Sequence, residues 1–274
     1  MQTHSVDMKF NDSDSWAIMS EIEKSIKSKV DAVGTPLKDW DIQINFGIKT
    51  GFNDAFIIDS QTRDEILSKC TCEYERVRTT EIIRPILRGR DIKRYSYQYA
   101  GLYLISTFPA KGYEIDNYPA VKDYLLKFGI ERLEQTGKEH IINGERVKAR
   151  KKTSNKWYET QDSISYWDEF SKPKIIWKRV GSIIRFSYDT TGILGLDSTC
   201  FATGESIQYI CCVLNSPMGH YLLNGAPRTG TGDLLISVQA VEPLRFPLIS
   251  DNQKIIFQEL LDKIILGKQV DNEI

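Results

Sequence analysis

The irregular succession of short strands and helices in this sequence constrains its fold more than any other feature. Four apolar runs rich in β-branched and aromatic residues, at 102–105, 174–180, 183–188 and 234–238, are each bounded by turn residues and read as strands. A fifth alternates, with Ile42, Ile44 and Phe46 on one face, and leads through a polar loop into the apolar run Phe56-Ile57-Ile58. Helical patterns fall between and after them, at 62–69, 121–133, 207–214 and 253–266, the last with Ile256, Leu260 and Ile264 in a broad apolar stripe. An amphipathic helix is also expected over 14–30, where Trp16, Met19, Ile22, Ile26 and Val30 recur at three- and four-residue steps behind the capping candidates Asp12 and Ser13; Gly34-Thr35-Pro36 ends it. No regular strand–helix alternation emerges, so the fold class expected is α+β.

A chain of 274 residues, 41% hydrophobic and 27% charged, can bury a sizeable core as one large domain or two small ones. No apolar run approaches the roughly twenty residues that span a bilayer, and Met1-Gln2-Thr3-His4-Ser5 lacks the basic and apolar regions of a signal peptide. The expectation is a cytoplasmic protein with no membrane partner. Five cysteines, Cys70, Cys72, Cys200, Cys211 and Cys212, fit neither a disulfide framework nor a zinc knuckle and read as reduced thiols.

Catalytic signatures are sparse. Gly192-Ile193-Leu194-Gly195 is the nearest approach to a cofactor-binding glycine turn, but no long helical pattern follows it and no Asn-Pro-Pro-Tyr-like loop accompanies it. In Gly47-Ile48-Lys49-Thr50 an isoleucine separates glycine from lysine, which excludes a phosphate-binding P-loop. His4, His140 and His220 carry no motif partner that would mark a general base. Glu81, Asp91 and Lys93 imitate the acids and lysine of a metal-dependent nuclease, although Asp91 among four nearby arginines has an ion pair as its plainer explanation. No catalytic residue, metal ligand or cofactor site is assigned to this chain.

Charge is more informative. The net charge is only −1, but bases cluster at 84–94, 146–156 and 172–185, while acids gather near Asp12, Glu21 and Glu23 and in the tail. A charge run is usually a solvated face. Here Tyr95, Tyr97, Tyr99, Trp157, Tyr158 and Trp177 interleave with the bases, and that combination suits phosphate and sugar contact. For the tryptophans the competing explanation is core packing. The run 144–156 reads as an exposed loop or hairpin, and 225–233 as a small-residue loop with Arg228 at its tip.

Two stretches carry a family resemblance: Gly47-Ile48-Lys49-Thr50-Gly51-Phe52-Asn53-Asp54-Ala55-Phe56, and Arg84-Pro85-Ile86-Leu87-Arg88-Gly89-Arg90-Asp91-Ile92-Lys93-Arg94-Tyr95. Together they resemble the TaqI-like C-terminal specificity domain of type IIG restriction-modification enzymes. Matching order continues through 102–105, 118–125, 157–159, 172–176, 213–216 and 244–247, so the likeness spans 39–248. It implies an α+β target recognition domain, a mixed, twisted β-sheet with peripheral helices similar to those of DNA methyltransferases and type I specificity subunits. It also implies a layout in which 1–38 form a helix and a connection to a methyltransferase domain, 39–250 the recognition domain, and 251–274 a terminal helix and tail.

The implied function is sequence-specific recognition of double-stranded DNA for an adenine methyltransferase domain of the same polypeptide. That parent would use S-adenosylmethionine and, where it also cleaves, magnesium; this chain would need no cofactor. By the resemblance, Lys49, Thr50, Asn53, Arg88, Arg90, Lys93 and Arg94 are the DNA-facing candidates, and the basic runs and the small-residue loop add Arg150, Lys151, Lys152, Lys178, Arg179 and Arg228. Three other readings remain open: half of a type I specificity subunit, for which no second recognition unit or heptad pattern is present; a self-contained endonuclease using Glu81, Asp91 and Lys93; and a protein-interaction module.

Overall fold

The computed structural model describes residues 20–271. Two four-stranded sheets organise them. The first is antiparallel throughout, in the order Phe186–Asp189, Lys174–Lys178, Thr199–Gly204, Ile42–Phe46. The second runs Leu194–Gly195, Ile83–Leu87, Leu102–Ile105, Ile57–Asp59, with only the 194–195 strand parallel to its neighbour.

Strand alternation explains how one sheet serves two cores. In the first sheet Cys200 pairs with Trp177 and Ala202 with Ile175, and these four face a core built with Leu37, Ile210, Leu214, Phe246 and Leu261. Their neighbours Ile176 and Phe201 pair with each other and face the opposite core, with Ile86, Leu104, Val121 and Phe170. Ile175, Ile176 and Trp177 are all fully buried, which is why the 174–178 strand reads as a continuous apolar run rather than an alternating one.

The helix Ile207–Leu214 and the strands Ile42–Phe46 and Leu102–Ile105 lie where their patterns predict. Elsewhere the structure differs for identifiable reasons. The expected 121–133 helix is two, Pro119–Leu126 and Ile130–Leu133, broken at Gly129, whose φ of 81° no helix accommodates. The 234–238 run pairs with Val180–Gly181 only at Leu234–Leu235, and a short helix follows from Val238 to Val241. The helix Glu73–Ile82 has no apolar stripe to announce it, because Glu75 and Thr79 lie on its buried side and the Glu75 carboxylate accepts from the amides of Thr71 and Ala120.

At the amino-terminal end, Glu21–Val33 is helical, capped by Ser20 in a reciprocal capping box with Glu23; Asp12, Ser13, Trp16 and Met19 lie outside the described residues. The helix buries none of its own residues, and Ile22 is 73% exposed. Gly34–Pro36 then pairs with Arg245–Pro247, tying the two ends of the chain together. The final helix, Asp251–Asp271, turns Phe257, Leu261 and Ile265 inward, while Ile256 and Leu260 of the expected stripe stay outside. No described helix is long and apolar enough to cross a membrane.

Candidate nucleic-acid interface

The two sheets meet at a seam where four chain segments touch. Leaving the first sheet at Phe46, the backbone is tied by Ile48, whose amide donates to the Gly195 carbonyl at 2.7 Å and whose carbonyl accepts from Asp197 at 2.9 Å. The Leu196 amide donates to Leu87, and Arg179 donates its backbone N–H to Ser198, both at 2.9 Å. Gly89 completes the contact by donating to the Ser198 hydroxyl at 2.9 Å. Such close backbone approach leaves no room for side chains: a Cβ on Gly47 would stand 2.0 Å from the Leu196 carbonyl oxygen, and one on Gly89 would stand 2.8 Å from that of Ser198. Gly89 therefore packs against this chain itself.

Because 46–49, 87–90, 178–179 and 195–199 converge there, cations distant in sequence become neighbours. Lys49, Lys151 and Arg179 line a cleft of about 710 Å³ together with Gln161, Asp162 and Asp197. Arg90, Lys93, Lys178 and Arg185 surround a smaller one of about 240 Å³ beside Gly89. A third, of about 560 Å³, shares Ile183 and Arg185 with the second and adds Arg94, Asn215 and His220. None of the seven cations lining the first two clefts has a carboxylate within salt-bridge distance among the described residues, whereas Arg88, Lys156, Lys172 and Lys174 are each paired.

Several DNA-facing candidates are turned inward instead. Arg150 is 2% exposed; its guanidinium donates to the carbonyls of Leu133 at 2.7 Å, Thr50 at 2.9 Å, Glu159 at 2.7 Å and Trp157 at 2.6 Å. Burial lowers its pKa to about 10, so it stays charged at neutral pH, satisfied by protein rather than phosphate. Thr50 is 1% exposed and donates to the Asn53 side chain at 2.6 Å while accepting from the Phe52 amide, which closes the turn and leaves Asn53 on the surface. Arg88 grips both oxygens of Asp91, at 3.0 and 2.8 Å. Burial works to raise the Asp91 carboxyl, but hydrogen bonds from Arg88 outweigh it and hold the group below the usual carboxylate range.

The remaining candidates sit at the margins. Arg94 donates to the Asn215 carbonyl at the edge of the third cleft, Lys152 is exposed with its backbone beside Gly137, and Arg228 folds back to the Gly232 carbonyl at 2.9 Å across its hairpin tip. Trp177 belongs to the core, donating its indole N–H to Ile236, and Tyr158 is 4% exposed. The nuclease imitation dissolves: Asp91 is committed to Arg88, and Glu81 sits at the end of its helix beside Tyr113 and Tyr118. Among the described residues no three His, Cys, Asp or Glu side chains group to hold a metal. The cysteines are free thiols, and burial pushes Cys200 up to about 12.

A family model for the TaqI-like C-terminal specificity domain matches residues 84–232, just over half of the 274-residue chain. The chain belongs to this family. The matched span of the specificity domain contains Arg90, Lys93, Lys151, Lys178, Arg179 and Arg185; Lys49 and the 42–46 strand lie outside it but pack against it at the seam. Among solved structures, the type IIL restriction-modification enzyme MmeI in complex with DNA is similar over 86% of this chain and 29% of its own, with TM-score 0.54 and 11% identity. The type IIG restriction endonuclease BpuSI is similar over 88% of this chain and 27% of its own, with TM-score 0.50 and 12% identity. At such identities the likeness is one of fold, and the chain spans less than a third of either structure. No curated protein matches the sequence.

Sequence reasoning found six of the seven unpaired cations and placed Arg185 only at the limit of a basic run. It missed Gln161, Asp162 and Asp197. Their signal was weak: two of them follow directly on Trp157-Tyr158-Glu159-Thr160, and nothing in that run shows that it folds back beside Lys49, to whose carbonyl the Gln161 amide donates at 3.1 Å.

Proposed function

We propose that this specificity domain recognises duplex DNA by sequence, for an adenine methyltransferase domain carried in the same, longer polypeptide. The observation that carries the reading is the convergence of seven unpaired cations, from segments around 49, 90, 151, 179 and 185, onto adjoining clefts at one seam. Unpaired lysines and arginines on a rigid base repel one another, and a polyanion removes that repulsion while releasing its own counterions. The net charge of −1 leaves the rest of the surface without general affinity for nucleic acid.

In this reading the chain performs no chemistry. Its work is a difference in binding free energy between sites, with phosphate contacts fixing register and base-edge contacts supplying sequence. S-adenosylmethionine, and magnesium where the parent cleaves, are bound by other parts of that polypeptide, which acts in the cytoplasm where its DNA lies. The helix Glu21–Val33, which buries no residue within this chain, is the connection to the methyltransferase domain.

The test is selection from a randomised duplex library on the purified chain, followed by fluorescence anisotropy of enriched sites at several salt concentrations. Enrichment of one short motif is expected, with log K falling linearly in log salt at about 0.9 per phosphate neutralised. Absence of duplex binding at low salt would refute the proposal, and salt-sensitive binding without enrichment would reduce the chain to a nonspecific clamp.

A further inference from the structure

The two adjoining clefts differ in chemistry, and on the DNA-recognition reading that difference assigns them separate tasks. The smaller presents Arg90, Lys93, Lys178 and Arg185, donors without a single lining carboxylate. A phosphate offers only acceptors and negative charge, so a donor-only pocket suits it, and a carboxylate in the same pocket would oppose it. The larger cleft mixes cations with acceptors: Asp162 and Asp197 stand among Lys49, Lys151 and Arg179. Base edges present donors and acceptors side by side, and a reader must match both.

Asp162 is the acceptor best placed to read. Its backbone is pinned, for its amide and that of Gln161 both point to the Lys49 carbonyl, at 3.4 and 3.1 Å. Its carboxylate makes no salt bridge or hydrogen bond among the described residues, although Lys49 and Lys151 act on it electrostatically. Partial burial pushes this carboxyl upward, as does Asp197, so the group has lost water without gaining a donor from the protein. Asn155, by contrast, is already committed, its amide donating to the Thr160 and Gln161 carbonyls. We infer that Asp162 accepts a hydrogen bond from the exocyclic amino group of a cytosine or adenine in the major groove, while Arg90, Lys93, Lys178 and Arg185 clamp a backbone phosphate of the same duplex. The neighbouring Lys49 and Arg179 then supply donors for the ring nitrogen or carbonyl acceptors that adjoin such an amino group in a base pair.

The experiment uses the full chain with Asp162→Asn, Asp162→Ala, Lys178→Ala and Arg185→Ala, each checked for an unchanged thermal midpoint. Each is titrated against the wild-type site and a panel in which every position is varied singly. Asp162→Ala is expected to lose discrimination at one position, where wild type demands cytosine or adenine, by roughly 5- to 150-fold, with the other positions unaffected, while Asp162→Asn, which keeps an acceptor oxygen and adds a donor, is expected to change the base preference at that same position only. Lys178→Ala and Arg185→Ala are expected to weaken every sequence alike and lower the salt slope by about 1 each. If Asp162 variants shift all sequences equally or none, or if wild type shows no preference for an amino-bearing base at any position they affect, the assignment is overturned while DNA recognition stands. If wild type binds no duplex, recognition itself fails, and the two failures are thereby told apart.

Discussion

Arg150 and Lys151 are adjacent members of one basic run, and the structure predicts opposite phenotypes for them. Arg150→Ala removes a guanidinium that donates to four carbonyls, at 2.6 to 2.9 Å, drawn from segments around 50, 133 and 157–159. Hydrogen bonds to a charged group contribute about 1.5–3 kcal/mol each, so the four sum to roughly 6–12 kcal/mol. Desolvating the cation opposes this by several kcal/mol, and the guanidinium also lies 5.0 Å from the centroid of the Phe56 ring. Truncation strands buried acceptors in three segments at once, for an expected loss of about 3–5 kcal/mol. That is a large share of the roughly 5–15 kcal/mol by which domains are stable.

Lys151→Ala removes an exposed, unpaired side chain, and surface changes of this kind stay within about 0.5 kcal/mol. Urea unfolding followed by tryptophan fluorescence measures the first quantity, and anisotropy against the enriched duplex the second. Arg150→Ala should shift the unfolding midpoint strongly. Lys151→Ala should leave it in place and lower both affinity and salt slope. If Arg150→Ala unfolds like wild type yet abolishes DNA binding, the guanidinium belongs at the interface and the reasoning that turned it inward is wrong.

Gly47→Ala places a methyl 2.0 Å from the Leu196 carbonyl oxygen, backbone against backbone, and should cost at least about 1–3 kcal/mol and disrupt DNA binding; a wild-type thermal melt would show that the seam is not so tight. Asp91→Ala unties Arg88 and should destabilise by about 1–3 kcal/mol without any change in plasmid integrity, whereas magnesium-dependent cleavage present in wild type and lost in a stably folded Asp91→Ala would establish the endonuclease reading. The fully buried Lys174–Asp189 pair sets an acid limb. Burial works to raise Asp189, but the charge and hydrogen bond of Lys174, with Thr191, outweigh it and hold the carboxyl below its ordinary range. The stability it confers is then complete above about pH 4, the unfolded value, and is lost as pH falls through the lower folded one. Asp189→Asn should remove that portion of the acid dependence in melts from pH 7 downward, and identical acid limbs would contradict it.

The parts of this fold that were legible are those whose side chains repeat with a period. Ile42, Ile44 and Phe46 alternate because one side of their strand faces a core, and 207–214 is apolar on the side that meets Trp177 and Phe186. Periodicity is blind where the inward residues are polar, as Glu75 and Thr79 are, and where one residue at positive φ interrupts a run, as Gly129 does. It says least about charge, because a loop has no period from which to assign an inside and an outside. Of the five bases between 84 and 94, Arg84 donates inward to the Gly192 carbonyl at 2.7 Å and Arg88 is locked to Asp91, while Arg90 and Lys93 open into a cleft. A single tetrapeptide, Arg88-Gly89-Arg90-Asp91, contains the whole division: its ends close on each other, its glycine fits beneath Ser198, and only Arg90 is left facing outward. Recognition and folding therefore draw on the same basic run. Arg88 is committed by Asp91, three positions on, while Gly89 between them is tied to Ser198, more than a hundred positions away, beside the cleft that Arg90 lines.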